Sequence, residues 1–230
     1  MPTHYRGDEK EVLAGTLIQE RELWLNISTG SQASLLTPKP EAGEFRVRPA
    51  IDGRYYRTIT HIPAGRSLSL LVDLLSELAK ADGLELRDPW AYLAAAAESI
   101  EETDLEVDLA FFVGPCGDRG RIGNIREGNL TAGHVFRAAL ENMAGNYYSC
   151  ALRLSPEKDW SKLALSGGLP QKLPQLRHLI SRRFGMEYRL PASEEDTLLG
   201  LLALALVRTG DASSMAEASG MLGEKTSGSR

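Results

Sequence analysis

Apolar residues in this chain fall into short runs, which are typical of strands, and into longer stretches with a helical period. Ser28-Thr29-Gly30-Ser31 separates the first two short runs, and an Asp52-Gly53 turn separates the next two, so the pattern predicts two β-hairpins. The predicted strands are residues 23–27, 33–36, 45–47, 55–59, 109–113, 163–165 and 186–190.

The helix-periodic stretches predict five helices, mostly in the second half of the chain. Ser193 is a favourable N-cap for the last one, and Gly210 is followed by a Ser/Gly-rich tail with little to bury. Strands that alternate with helices predict an α/β fold, in which helices flank a mixed sheet. The predicted helices are residues 67–80, 89–100, about 130–152, 170–184 and a final helix whose buried stripe is Leu198, Leu201, Leu202, Ala205 and Leu206.

Composition places the chain among ordinary soluble globular proteins, with 43% hydrophobic and 25% charged residues in a length of 230. It contains no apolar run of about 18 residues and no apolar core of a signal peptide, so we expect a cytoplasmic protein without membrane contact. The formal net charge of -5 gives no general attraction to nucleic acid. The basic cluster of Arg177, Arg182 and Arg183 is interpreted as a solvated helix face.

Metal-ligating and nucleophilic side chains are sparse in the sequence. Cys116 and Cys150 lack the spacing of a metal site and are expected to be free structural thiols. The acidic residues between 101 and 108 are interpreted as a solvated surface, and His134 as a structural residue on a polar helix face. None of these groups predicts a metal centre.

The sequence Ser166-Gly167-Gly168 joins a predicted buried strand to a predicted helix. Glycines at such a bend allow a ligand to approach the main chain, and a helix N-terminus favours negative charge. The Ser28-Thr29-Gly30 turn offers N–H groups and a hydroxyl, a combination that can hold phosphate oxygens. Each bend alone also has an ordinary structural interpretation, as a turn between two elements.

Several segments, taken in order, resemble the carboxy-terminal lobe of the FGGY carbohydrate kinases. This family belongs to the actin-like ATPase superfamily, so the resemblance implies a ribonuclease H-like fold. Within the family the sedoheptulokinase subfamily is the closest likeness, on Arg48-Pro49 and on residues 25–29, 53–55, 117–120 and 133–138. The segments that carry the family resemblance are residues 7–15, 26–30, 163–169 and 195–200.

The resemblance implies ATP and Mg²⁺ as cofactors and a sugar hydroxyl as the phosphoryl acceptor. Asp8 falls on the catalytic aspartate of the family and would accept the proton of the sugar hydroxyl. The Mg²⁺ ion would bridge phosphates and would need no dedicated protein cage. The positions implied for nucleotide binding are Thr29 and Gly30 at the phosphates, Gly65 nearby, and Gly167, Gly168 and Gln171 at the nucleoside.

The chain also departs from the family pattern. Family members carry an amino-terminal lobe that opens with an Asp-x-Gly-Thr phosphate hairpin and supplies most sugar contacts, and no such hairpin occurs here. We therefore expect residues 1–210 to be the ATP-binding domain and 211–230 a flexible tail, with the amino-terminal lobe missing. Apolar surface that this lobe would cover favours self-association as a homo-oligomer.

Three functional interpretations remain open at this stage. The first is a kinase lobe that has little activity without its partner lobe. The second is a non-catalytic nucleotide-binding or interaction module, and the third assigns the glycines a structural role only. All nucleotide-binding interpretations require that the bends at Thr29 and Gly168 converge on one crevice.

Overall fold

A computed structural model describes residues 20–50, 53–191, 196–215, 217–218 and 220–222 of the chain. Asp8 and Ser193 lie outside these ranges. The strands of the described part are β1 (Glu22–Ile27), β2 (Ser31–Thr37), β3 (Arg46–Pro49), β4 (Tyr55–Ile62), β5 (Glu106–Asp108), β6 (Arg121–Gly123), β7 (Lys162–Ser166) and β8 (Tyr188–Arg189). Its helices are α1 (Gly65–Ala81), α2 (Pro89–Glu98), α3 (Ala132–Leu154), α4 (Gly168–Lys172), α5 (Pro174–Phe184) and α6 (Asp196–Thr209).

In the described part, six strands form one mixed sheet in the order β3-β4-β2-β1-β7-β8. A short turn joins β1 to β2, and the pairs β1–β2 and β3–β4 are both antiparallel. Strand β7 follows the long helix α3 and lies parallel to β1, and β8 lies parallel to β7. The mixed α/β architecture predicted from the sequence is therefore confirmed, and β5 and β6 form a separate small sheet.

Alternation along β1 divides the sheet into two faces. Leu23 and Leu25 point to the main core, which helix α3 fills with Phe136 and Met143, and all four side chains are fully buried. Trp24 points to the opposite face, where it packs with Ala164 and Tyr56. Burial of each large apolar side chain stabilises the fold by about 1.5–3 kcal/mol, so β1 anchors both faces.

The strand predicted at 109–113 is wrong. Its first residue is buried, but its main-chain groups bond outside any strand: the N–H of Leu109 donates to Asn142 Oδ1 at 3.1 Å, and its carbonyl accepts from Ser67 Oγ at 2.9 Å and from the Phe111 N–H at 2.7 Å. The strand lies earlier, at β5, and pairs with β6. The apolar run indicated burial correctly for Leu109 and Ala110, whereas Val113 at its end is 85% exposed.

The helix predicted from 170 to 184 is two helices. It begins earlier, at Gly168, and breaks at Leu173, which has φ −120° and ψ 84°. Leu173 precedes Pro174, and a residue before proline is disfavoured in the helical conformation. Helix α5 then begins with Pro174 in its first turn.

The buried stripe predicted for α6 is also wrong, except at Leu206, which is half-buried. Leu198, Leu201 and Leu202 are 60%, 41% and 48% exposed. The buried contact is made by Ala203, which packs with Ala212 and Ala218, so the segment after Gly210 does bury side chains. Helical periodicity identifies an apolar face, but it does not say which element covers it.

Membrane crossing is a separate question from burial. None of the helices in the described ranges combines the length and the apolar character that a bilayer crossing needs.

Candidate functional site

The two predicted glycine bends, at residues 28–30 and 167–168, follow the neighbouring ends of strands β1 and β7. Strands β1 and β7 are parallel neighbours whose last paired residues are Asn26 and Ser166. The turn after β1 and the turn after β7 therefore leave the sheet at the same end. A Cβ atom placed on Gly167 would lie 2.4 Å from the Ile27 carbonyl oxygen and 2.7 Å from Asn26 Oδ1. The structure thus places the turns at 28–30 and 167–168 at the same end of two neighbouring strands, and the region between these turns is called the crevice below.

The start of helix α1 is attached to the same turn. Gly65 N–H donates to the Ser28 carbonyl at 3.0 Å, and Arg66 N–H donates to the Thr29 carbonyl at 2.8 Å. A Cβ atom on Gly65 would lie 2.6 Å from the Ser28 oxygen. Gly65 is itself buried and packs directly against this turn.

Hydrogen bonding orients the turn so that its donors face outward. The carbonyls of Ser28, Thr29 and Gly30 all accept main-chain hydrogen bonds within the protein. By contrast, the N–H groups of Thr29 and Gly30 and the Thr29 hydroxyl have no hydrogen-bond partner among the residues that the structure describes. Both residues are exposed. Adjacent exposed donors of this kind can bind phosphate oxygens.

Two other glycines of the crevice border open space. No heavy atom lies within 4 Å of a Cβ placed on Gly30 or on Gly168, and neither residue has a positive φ. The fold itself therefore has room for a side chain at both positions. A ligand that approaches the main chain would need that room.

Next to the Gly168 bend lies a cavity of about 580 Å³ between α2 and α4. One wall carries the indole of Trp90, which contacts Phe136 edge-on at 6.1 Å between ring centroids. A largely apolar cavity with a few polar groups is typical of small-molecule sites. Its lining residues are Asp88, Trp90, Ala91, Ala94, Leu169, Lys172 and Leu173.

Gln171, predicted at the nucleoside, does not line this cavity. Its carbonyl accepts a hydrogen bond from Arg177 at 3.3 Å, and the Pro170 carbonyl accepts another from the same guanidinium. Arg177 also donates to the Tyr188 hydroxyl at 3.1 Å. The Arg177 side chain therefore links its own helix, α5, to α4 and to β8. The interpretation of Arg177 as part of a solvated helix face is wrong.

Sequence reasoning missed two polar residues of the crevice. The Arg66 guanidinium lies 3.6 Å above the Phe112 ring and has no ion-pair partner in the described part of the chain. Ser166 Oγ is fully buried beside Gly167, and no hydrogen-bond partner for it exists among the described residues. Arg66 directly follows Gly65 in the sequence, and this position could have indicated that it lies near the site. Ser166 has the sequence context of an ordinary turn residue, so the sequence contained no such signal for it.

Metal-ligating side chains do not cluster in the described ranges, where no group of three or more His, Cys, Asp or Glu residues could hold an ion. His134, expected to be structural, pairs through Nδ1 with the Thr103 hydroxyl at 2.9 Å. In the acidic link, Asp104 contacts Arg126 at 3.0 Å and Glu106 contacts Arg121 at 2.8 Å.

Comparison by sequence finds no matching family model and no matching curated protein. Comparison by structure finds carbohydrate kinases. The chain is similar to xylulose kinase from Rhodospirillum rubrum, with a TM-score of 0.78, 16% identity and coverage of 92% of this chain and 43% of that one. Gluconate kinase from Lactobacillus acidophilus is also similar, with a TM-score of 0.75, 16% identity and coverage of 92% of this chain and 43% of that one.

Plasmodium falciparum glycerol kinase, solved with ADP, is a further similar structure, with a TM-score of 0.71, 19% identity and coverage of 94% of this chain and 44% of that one. The chain therefore spans less than half the length of these solved kinases. At such low identity the likeness shows the fold alone. The chain has the ribonuclease H-like α/β fold of the matching part of these sugar kinases.

Proposed function

We propose that this chain is the nucleotide-binding lobe of a carbohydrate kinase, which transfers the γ-phosphoryl group of ATP to a sugar hydroxyl. The observation that carries the proposal is the crevice at the end of β1 and β7. There the N–H groups of Thr29 and Gly30, which have no partner among the described residues, lie at the same end of β1 and β7 as the open Gly168 bend, and the 580 Å³ cavity adjoins that bend. The similarity to solved sugar kinases supports the same assignment.

The residues present fit a nucleotide. Thr29 and Gly30 would hold phosphate oxygens through one hydroxyl and two N–H groups, and Gly168 leaves room for the nucleoside. The Trp90 indole would contact the base in the adjacent apolar cavity. Mg²⁺, when bound with the nucleotide, would neutralise phosphate charge and needs no dedicated protein ligands.

The chemistry requires little covalent help from the protein. Phosphoryl transfer depends mainly on positioning and on stabilisation of charge, with a carboxylate that accepts the hydroxyl proton. None of the turns at 28–30, 65–66 and 167–168 contains a carboxylate. We assign the role of base to Asp8, which lies outside the described residues.

The acceptor proposed from the subfamily likeness is a ketose of the sedoheptulose class. We expect the isolated chain to have little kinase activity, because the family's sugar contacts come mainly from its amino-terminal lobe. Sugar-dependent ADP formation measures this directly. Turnover of about 1–100 per second by the isolated chain, as in ordinary kinases, would contradict it.

A second candidate is a non-catalytic nucleotide-binding module of the same fold. The absence of carboxylates from the three described turns favours it, since these turns supply nucleotide contacts and no base. The variant Asp8→Asn, assayed together with an amino-terminal lobe of the sugar-kinase type, separates the two. We expect turnover to fall by about 100-fold or more with unchanged ADP affinity, whereas unchanged turnover would favour the module.

A further inference from the structure

The two cysteines of the chain meet in the folded protein although they are 34 residues apart in the sequence. Cys116 Sγ and Cys150 Sγ are separated by 4.0 Å. Cys150 lies on α3 and is buried, whereas Cys116 is half-buried and lies in the Gly114–Gly117 turn. A disulfide has an S–S distance of about 2.05 Å, so its formation requires the two sulfurs to approach by roughly 2 Å.

The turn that carries Cys116 is suited to such an approach. It is closed by main-chain hydrogen bonds from Gly114 N–H to the Gly117 carbonyl at 2.9 Å and from Gly117 N–H to the Gly114 carbonyl at 3.3 Å. Arg153, one turn after Cys150 on α3, donates to the Pro115 carbonyl at 2.9 Å. The turn is therefore already held against the helix face that presents Cys150.

The surroundings give the two thiols different roles. The hydrogen bond between the two sulfurs and the nearby Arg153 charge lower the pKa of Cys116, against opposing effects of burial and Asp108. The same hydrogen bond, together with burial, raises the pKa of Cys150. Because the thiolate is the nucleophile and Cys116 is the more accessible of the two, we expect Cys116 to react first and the buried Cys150 second.

We propose that Cys116 and Cys150 are a redox-sensitive dithiol, which a peroxide converts into an intrachain disulfide that fixes the Gly114–Gly117 turn to α3. The Cys116 thiolate attacks one peroxide oxygen, the O–O bond breaks, and the released hydroxide takes up a proton to give water and a Cys116 sulfenic acid. Cys150 sulfur then attacks Cys116 Sγ, the S–O bond breaks, and a second water leaves. Two thiols and one hydrogen peroxide thus give one disulfide and two waters.

The bridge would fix one wall of a second cavity, of about 460 Å³. Val113, Gly114 and Pro115 line this wall, and Thr60 and His61 line the opposite one. A Cβ atom on Gly114 would lie 2.7 Å from the His61 carbonyl oxygen, so the turn rests directly on the end of β4. Oxidation would hold this contact in place from the side of α3.

The proposal is tested on the full chain by treatment with hydrogen peroxide, blocking of free thiols and tryptic digestion without reductant. We expect a reducible linked pair of the peptides 88–119 and 138–153, and no disulfide-linked dimer of the chain. We also expect the melting temperature of the oxidised protein to exceed that of the reduced protein by roughly 5–10 °C, because the bridge restricts the unfolded chain.

Two variants identify the order of reaction. In Cys150→Ala, peroxide should give a Cys116 sulfenic acid that a dimedone probe captures. In Cys116→Ser, the buried Cys150 should react about tenfold more slowly than Cys116 does in the unaltered protein. Further oxidation of Cys116 without any linked peptide, or equally fast labelling of Cys150 in Cys116→Ser, would overturn the proposal.

Discussion

The crevice at the end of β1 and β7 has two parts that use glycine for different reasons. Its floor consists of Gly65 and Gly167, where a Cβ atom would meet main-chain oxygens at 2.6 Å and 2.4 Å. Its rim consists of Gly30 and Gly168, where a Cβ atom would meet nothing within 4 Å. The floor glycines are required by the fold, whereas the fold has no need of the rim glycines. A ligand is the physical reason that we propose for the rim.

The largest effect is expected at the floor, from Gly167→Ala. Gly167 has φ +89°, so alanine would introduce backbone strain as well as a clash with the Ile27 carbonyl. We expect the free energy of unfolding to fall by about 3 kcal/mol, and the melting temperature by roughly 6–12 °C. Thermal or urea unfolding measures both quantities.

Gly185→Ala is the matched control for that variant. Gly185 also has a positive φ, +65°, but a Cβ atom there would meet nothing within 4 Å. Its substitution should lower the free energy of unfolding only through backbone strain, by about 1 kcal/mol. Equal losses for the two variants would show that the contact between Gly167 and the β1 turn contributes nothing.

A smaller effect on stability and a larger one on binding are expected at the rim, from Gly168→Ala. The added methyl group meets no protein atom, so the free energy of unfolding should change by less than about 0.5 kcal/mol. If a nucleotide occupies the space, its affinity should fall by about 10- to 100-fold in calorimetry with Mg-ADP. Gly145→Ala, also at a position with no neighbour within 4 Å but on α3, should leave the affinity unchanged.

The smallest effect is expected from Arg66→Gln, beside the rim. The guanidinium is fixed on Phe112 and carries no ion pair in the described part of the protein, so it can pair with a phosphate. Mg-ATP affinity should fall by about 3- to 10-fold, while adenosine affinity stays the same. Arg182→Gln, on the exposed surface of α5, is the control. Equal losses for ATP and adenosine would contradict a phosphate contact.

Local sequence signals predicted the hairpins and the strand before Gly167, because turn chemistry and alternation act over a few residues. The break at Leu173 could also have been predicted from the sequence, because Leu173 precedes Pro174. The difference between floor and rim could not be predicted, since Gly65 and Gly168 look alike until the β1 turn is in place. The contact between Cys116 and Cys150 likewise depends on packing between distant segments.

The central claim is that the turns at 28–30 and 167–168 hold one nucleotide together. Backbone amide NMR of the chain during titration with Mg-ADP tests it most directly. We predict that the amide signals of Thr29, Gly30 and Gly168 shift along the same saturation curve, with one dissociation constant. Shifts at one turn without the other, or two different dissociation constants, would contradict a shared nucleotide site.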